Sequence, residues 1–331
     1  MRPPVDLPAL YADAKGGKRA AVARLLSVIE RGGDAARELG RLTFADAGHG
    51  YTVGLTGAPG AGKSTLTAAL VARMRQDDLC IGVLAIDPSS PFTGGAILGD
   101  RVRMQDHALD ESVFIRSMAT RGHLGGLALA TPEAVRLLEA TGRSYVLIET
   151  VGVGQVEVEI AGAADTTVVV VNPGWGDAVQ ANKAGLMEVA DVFVINKGDR
   201  AGTEDTRRDL EYMLDLSAKE GWRPPVVVTV ATDGKGLDEL WAAIGAHRAE
   251  ITASGELEAR RRQRSNDELS AILRSGSNSR YVISRLVTSS PAYEMPWLID
   301  RSHRGTRPVG SSEPTDHTAR SIRQRRVISL A

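Results

Sequence analysis

Eight consecutive residues, Gly57-Ala58-Pro59-Gly60-Ala61-Gly62-Lys63-Ser64, set a lysine and a hydroxyl behind a run of small, glycine-rich positions. Glycines let the backbone curl so that successive N–H groups point inward at an anion. A lysine at the seventh position can reach the β- and γ-phosphates of a nucleotide, and the serine hydroxyl can ligate Mg²⁺. Thr65 follows where a helix should open and add its positive dipole end. Gly57 to Thr65 therefore read as a phosphate-binding loop, with Lys63 also the cation that stabilises charge during phosphoryl transfer.

A second cluster, Asn196-Lys197-Gly198-Asp199, directly follows the apolar run Val192–Ile195. N-K-x-D at a strand end is a guanine-reading element. The Asp199 carboxylate can accept from guanine N1–H and the exocyclic amine, a donor pair that adenine lacks, so adenine would leave the carboxylate desolvated and unpaired. The Lys197 stem can lie along the base. Val230-Ala231-Thr232, after the last apolar run, stand where backbone N–H groups could meet the base; an ordinary strand exit reads equally well.

Acidic side chains bear on a metal. Glu149 ends the apolar run Tyr145–Ile148, Asp87 ends Ala85-Ile86, and Asp100 lies in the glycine-rich stretch Gly94–Asp100. Magnesium takes six oxygens but keeps several waters, so not all three acids can touch it; Glu149 and Asp87 are better placed than Asp100. Gly152 can offer an N–H to the γ-phosphate. Gln155 and His123 are the polar candidates for orienting a water, and neither adjoins Gly152 as a dedicated water-positioning residue would. Slow intrinsic hydrolysis is expected.

The elements that must position these groups alternate. Strand patterns fall at Tyr51–Thr56, Cys80–Ile86, Ser112–Ile115, Ser144–Ile148, Thr166–Val171, Val192–Ile195 and Val226–Val230. Helical patterns fall near Ser64–Gln76, Pro132–Ala140, Ala178–Val189, Thr203–Leu216 and Leu237–His247. Strands that read as unbroken apolar runs are buried on both faces, and alternating βα units imply a doubly wound, mostly parallel α/β sheet. Such sheets bind ligands at the carboxyl ends of their strands, where every motif above lies. Residues 1–44 read as a helical extension, with Val22, Leu25, Leu26 and Ile29 on one face; 45–250 as the α/β domain; 251–331 as a C-terminal extension, poorly ordered after about 275, where prolines and serines break any apolar stripe.

The 331 residues carry a formal net charge of −1, which points to neither nucleic acid nor an anionic membrane. Cys80, the one cysteine, cannot form an intrachain disulfide or a thiolate metal cluster. No leader or membrane-spanning run is apparent, so the expected location is the cytoplasm. The run Arg260, Arg261, Arg262 and Arg264 reads as a solvated helix face in preference to an anion or partner contact.

Taken together, the segments Gly57–Thr65, Ala85–Met104, Ile115–Ala128, Glu149–Gln155, Asn172–Gly185 and Asn196–Asp199 resemble the methylmalonyl-CoA mutase-associated GTPases, the MeaB/ArgK family of P-loop proteins, over about residues 1–270. The resemblance implies a P-loop GTPase of the SIMIBI type. It also implies GTP/GDP and Mg²⁺ as ligands, and a chaperone role in which GTP turnover gates cofactor loading and protection of an adenosylcobalamin-dependent acyl-CoA mutase. By motif position Lys63 and Ser64 would hold phosphate and magnesium, and Asp87, Asp100 and Glu149 would form the magnesium and switch shell. Asp199 would read guanine. The loop from Pro173 through Asp177 to Lys183 would couple nucleotide state to the mutase, although Trp175 and Asn182 stand where aliphatic residues are expected. Family members usually end in a helical arm that builds a homodimer, which the residues after about 275 do not resemble. Other activities compatible with the fold are a transport-system kinase, which would need an acceptor site and a base, and a nickel-insertion GTPase, which would need a Cys/His metal site.

Overall fold

The computed structural model describes residues 6–87, 109–119, 124–150, 162–174, 185, 187–216 and 221–274. Three helices come first: α1 (Leu7–Lys15), α2 (Arg19–Arg31) and α3 (Asp34–Phe44). Asp6 caps α1 by accepting from the Ala9 N–H, and α2 ends at Gly32, whose φ of 66° is one that glycine adopts readily. The α/β part follows as β1 (Tyr51–Gly57), α4 (Lys63–Arg75), β2 (Ile81–Asp87), β3 (Val113–Ala119), α5 (Leu124–Ala140), β4 (Tyr145–Thr150), β5 (Thr166–Val171), β6 (Val192–Asn196), α6 (Thr203–Leu216), β7 (Val226–Thr229), α7 (Leu237–Ala253) and α8 (Glu256–Arg274).

The strands form one seven-stranded sheet in the order β3-β2-β4-β1-β5-β6-β7, every pairing parallel. Successive side chains point to opposite faces, so each apolar run supplies two cores. Val168 and Val170 of β5, with Val192 and Val194 of β6, join α4 and α7 on one face. Val169, Val171, Phe193 and Ile195 meet α6 on the other. Leu84, Ile86, Val146 and Ile148 pack on that second face against α1, α2, α3 and α5. The face that α2 buries is the predicted one, Val22, Leu25, Leu26 and Ile29.

Two elements differ from expectation. The helix expected from Pro132 begins at Leu124 and carries Pro132 inside it. Proline removes one hydrogen bond and reads as a boundary, but Ala134, Leu137 and Leu138 beyond it are fully buried, and that packing outweighs the local cost. The arginine run on α8 is also not a solvated face. Arg260 grips Asp191 with two hydrogen bonds of 3.0 Å; Arg261 donates to Asp165 at 2.7 and 3.1 Å; Arg264 donates to the same carboxylate. Only Arg262 of the four is exposed. Residues 275–331, and the helical pattern of 178–189 apart from Gly185 and residues 187–189, lie outside the described residues. None of the described helices is long and apolar enough to cross a membrane.

Candidate nucleotide site

At the carboxyl edge of the sheet, β1 runs straight into the glycine-rich turn and α4. Gly57 has φ 131°, and a Cβ there would stand 2.0 Å from the Val170 carbonyl oxygen, so β1 and β5 can close only over a glycine. That carbonyl accepts from the Ala58 N–H at 3.2 Å. Gly62, with φ 90°, is the residue before α4, and a Cβ there would meet Asn196 Nδ2 at 2.6 Å. Thus the first and last glycines of the motif answer two different close approaches, one from β5 and one from the loop after β6.

The lysine and serine of the turn open α4. Lys63 Nζ donates to the Gly57 and Ala58 carbonyls at 2.6 and 3.2 Å, which folds the ammonium back across the mouth of the loop. Ser64 Oγ donates to Glu149 Oε1 at 2.5 Å. Ser64 stands at the helix start and Glu149 near the end of β4, adjacent to β1, and both are buried. Two hard oxygen donors side by side at a helix N-terminus fit Mg²⁺. Asp87 ends β2, on the far side of β4 from β1; of its side chain nothing is described.

The second motif supports the first physically. Asn196, at the end of β6 and 2% exposed, donates from Nδ2 to the Ala61 carbonyl at 2.9 Å. Its Oδ1 accepts from Thr229 Oγ1 at 3.1 Å and from the Ala231 N–H at 3.2 Å. Lys197 follows with φ 60°, uncommon for a side-chain-bearing residue, and its Nζ donates to the Gly60 carbonyl at 2.6 Å. Gly198 is close to β7, where a Cβ would strike Val228 Cγ1 at 2.3 Å, and its N–H donates to the Thr229 carbonyl. Asp199 is exposed beyond this turn. Two segments more than 130 residues apart in sequence are thereby stitched into one surface.

For the loop after β7 the expectation narrows. The Val230 N–H donates to the Lys235 carbonyl at 3.1 Å and the Ala231 N–H to Asn196, so neither is available to a base. Both groups are used in closing the turn on itself and on β6. Among the described residues the Thr232 N–H meets no acceptor, leaving it as the one of the three that can donate outward. Thr229 is a residue the sequence reading missed; its hydroxyl orients the Asn196 amide, and nothing in an apolar run ending in threonine signals that. Asp100, Gly152, Gln155, His123, Asp177, Lys183, Trp175 and Asn182 lie outside the described residues.

Comparison with known proteins places this geometry. Residues 22–284 match the family model described as methylmalonyl Co-A mutase-associated GTPase MeaB. A protein of Pyrococcus abyssi to which a GTPase activity is ascribed is 54% identical over 263 residues, 78% of this chain and 81% of the relative. The mouse methylmalonic aciduria type A homolog, a mitochondrial protein, is 36% identical over 271 residues, 76% of this chain and 65% of its own. Among solved structures, one described as a LAO/AO transport system kinase superposes with a TM-score of 0.68 at 29% identity, covering 86% of this chain and 87% of its own.

Proposed function

The chain belongs to the methylmalonyl Co-A mutase-associated GTPase family and is a GTPase that binds guanine nucleotide, and from that premise we propose that it serves as a GTP-timed chaperone of an adenosylcobalamin-dependent acyl-CoA mutase. The observation that carries the nucleotide part is the double stitch of Asn196 to Ala61 and Lys197 to Gly60, which sets a guanine-reading loop beside a phosphate loop. The family's description supports the mutase as partner.

In this reading the Gly57–Ser64 backbone surrounds the phosphates and Lys63 exchanges its two carbonyl contacts for phosphate oxygens. Ser64 and Glu149 would hold Mg²⁺, with Asp87 and Asp100 as further candidates; bound there, the metal would neutralise charge on the transferring phosphoryl group. The Ser64 hydroxyl must turn from Glu149 to share that role. Asp199 receives the base edge, and Thr232 alone of its trio has an N–H to add. Gly152, Gln155 and His123 are the proposed water- and γ-phosphate-side groups, and the stretch containing Asp177 and Lys183 the proposed contact to the mutase. The proposed location is the cytoplasm.

The deciding experiment is co-purification with purified cobalamin-dependent mutases under GDP and under a non-hydrolysable GTP analogue. Phosphate release is followed alongside. Nucleotide-dependent retention together with faster release on adding the mutase supports the reading, and equal retention without change in rate overturns it. The name of the solved relative favours one other activity, phosphotransfer; transfer of label from γ-labelled GTP to a protein or amino acid would establish that instead.

A further inference from the structure

The amino-terminal edge of the sheet carries a repeated device. Asp165, directly before β5, donates its N–H to the Thr52 carbonyl at 2.9 Å and accepts the Thr52 N–H on its carboxylate at 3.0 Å. Asp191, directly before β6, does the same to Thr167, with its N–H on the carbonyl at 2.9 Å and its carboxylate on the N–H at 2.8 Å. Each aspartate therefore pins the start of its strand to the strand beside it, β5 to β1 and β6 to β5.

Both carboxylates are buried and both are neutralised from α8. Arg261 and Arg264, one turn apart, converge on Asp165, and Arg260 takes Asp191 in a two-bond fork. The His247 ring of α7 approaches Asp191 from the other side at 3.2 Å. A fourth pair, Arg136 of α5 with Glu268, holds the far half of α8 at 2.6 Å on both prongs. Among the described side chains of α8, Leu257 joins the buried core. The arginine–carboxylate contacts thus tie this helix to the starts of β5 and β6 and to α5, and because the aspartates are buried these pairs depend on geometry and are screened little by salt.

The three strands pinned in this way carry the nucleotide machinery at their opposite ends: the phosphate loop after β1, Val170 of β5 against Gly57, and Asn196 at the end of β6. We propose that α8 is a strap whose docking sets the affinity of the site from the far edge of the sheet, because its arginines fix the aspartates that hold the starts of β5 and β6. The lever is short: Thr52 to Gly57 spans about 17 Å at ~3.3 Å per residue. Coupling of this kind is reciprocal, so nucleotide must tighten the strap as much as the strap tightens nucleotide.

The inference rests on guanine nucleotide binding at the carboxyl edge, and one experiment separates the two. Amide hydrogen exchange is measured on the full chain with and without saturating GDP. Slower exchange is expected both in Gly57–Ser64 and in α8, with exchange in α8 slowed at least threefold. Protection of the phosphate loop with α8 unchanged overturns the strap and leaves the nucleotide reading standing; no protection at the phosphate loop overturns both. Asp165→Asn keeps an acceptor for Thr52 but discards the charge, and should speed α8 exchange at least tenfold and weaken GDP binding at least threefold. Should that variant fail to fold, Arg260→Lys, which keeps the charge and loses the fork, should shift both quantities in the same direction. Faster α8 exchange with unaltered GDP affinity in a folded variant refutes the coupling.

Discussion

Replacing Asn196 by alanine removes a side chain that touches the phosphate loop, β7 and the turn after it. Three hydrogen bonds go, to the Ala61 carbonyl, from the Thr229 hydroxyl and from the Ala231 N–H. At a net value of about 1 kcal/mol each the loss is ~3 kcal/mol, and more if water does not reach the stranded partners. In a domain of 150–250 residues each kcal/mol moves the melting temperature by roughly 2–4 °C, so a fall of about 6–12 °C is expected. The measurement must be made without nucleotide, because ligand at a hundred times its Kd adds about 2.7 kcal/mol and would mask the change. Calorimetric titration of the same variant should show GDP affinity reduced by about tenfold, equivalent to ~1.4 kcal/mol, as the stitch between the two loops opens. A fall of less than 2 °C with unaltered GDP affinity would refute the argument that Asn196 is a strut between them.

Lys63→Ala should abolish measurable GDP binding by calorimetry while the apo protein melts within a few degrees of wild type, because the ammonium's contacts with the Gly57 and Ala58 carbonyls lie within the loop itself. Asp199→Asn should lower GTP affinity by about 10- to 150-fold, for a lost charge-assisted contact of ~1.5–3 kcal/mol, and raise preference for XTP, whose carbonyl meets the new amide donor; competition between the two nucleotides reads this directly. Burial pushes Glu133 up to about 7, with Glu268 adding to the rise and Arg136 and Arg37 opposing it. A raised folded pKa stabilises below the unfolded value near 4.5 and that stability fades as pH climbs through 7, so the melting temperature should fall across pH 5–7.5 and Glu133→Gln should flatten that slope. At the acid end the sign reverses: burial raises Asp165 and Asp191, but Arg261 and Arg264 at Asp165, and His247 and then Arg260 at Asp191, outweigh it and hold both below the ordinary carboxylate range, so their contribution is lost as pH drops under about 4.

The sequence by itself determined the seven strands, the order of helices between most of them, and the phosphate and guanine motifs, because each depends on local chemistry. An apolar run such as Thr166–Val171 can only be buried on both faces, and Gly57 and Gly62 are needed wherever the backbone turns with positive φ. Residues such as Lys63 and Asp199 announce themselves by type and spacing. What the tertiary structure alone decided is the partner of each polar group. Four arginines in five residues look the same in sequence whether they face water or two buried aspartates roughly 70 and 100 positions away. Val230 and Ala231 look equally able to offer N–H groups until Lys235 and Asn196 are seen to take them. The helix α5 runs through Pro132 because buried neighbours repay a local defect. In each case the deciding energy is a contact between distant segments, and one-dimensional spacing carries no measure of who arrives there; that information exists only once the sheet has brought β1, β5, β6 and α8 together.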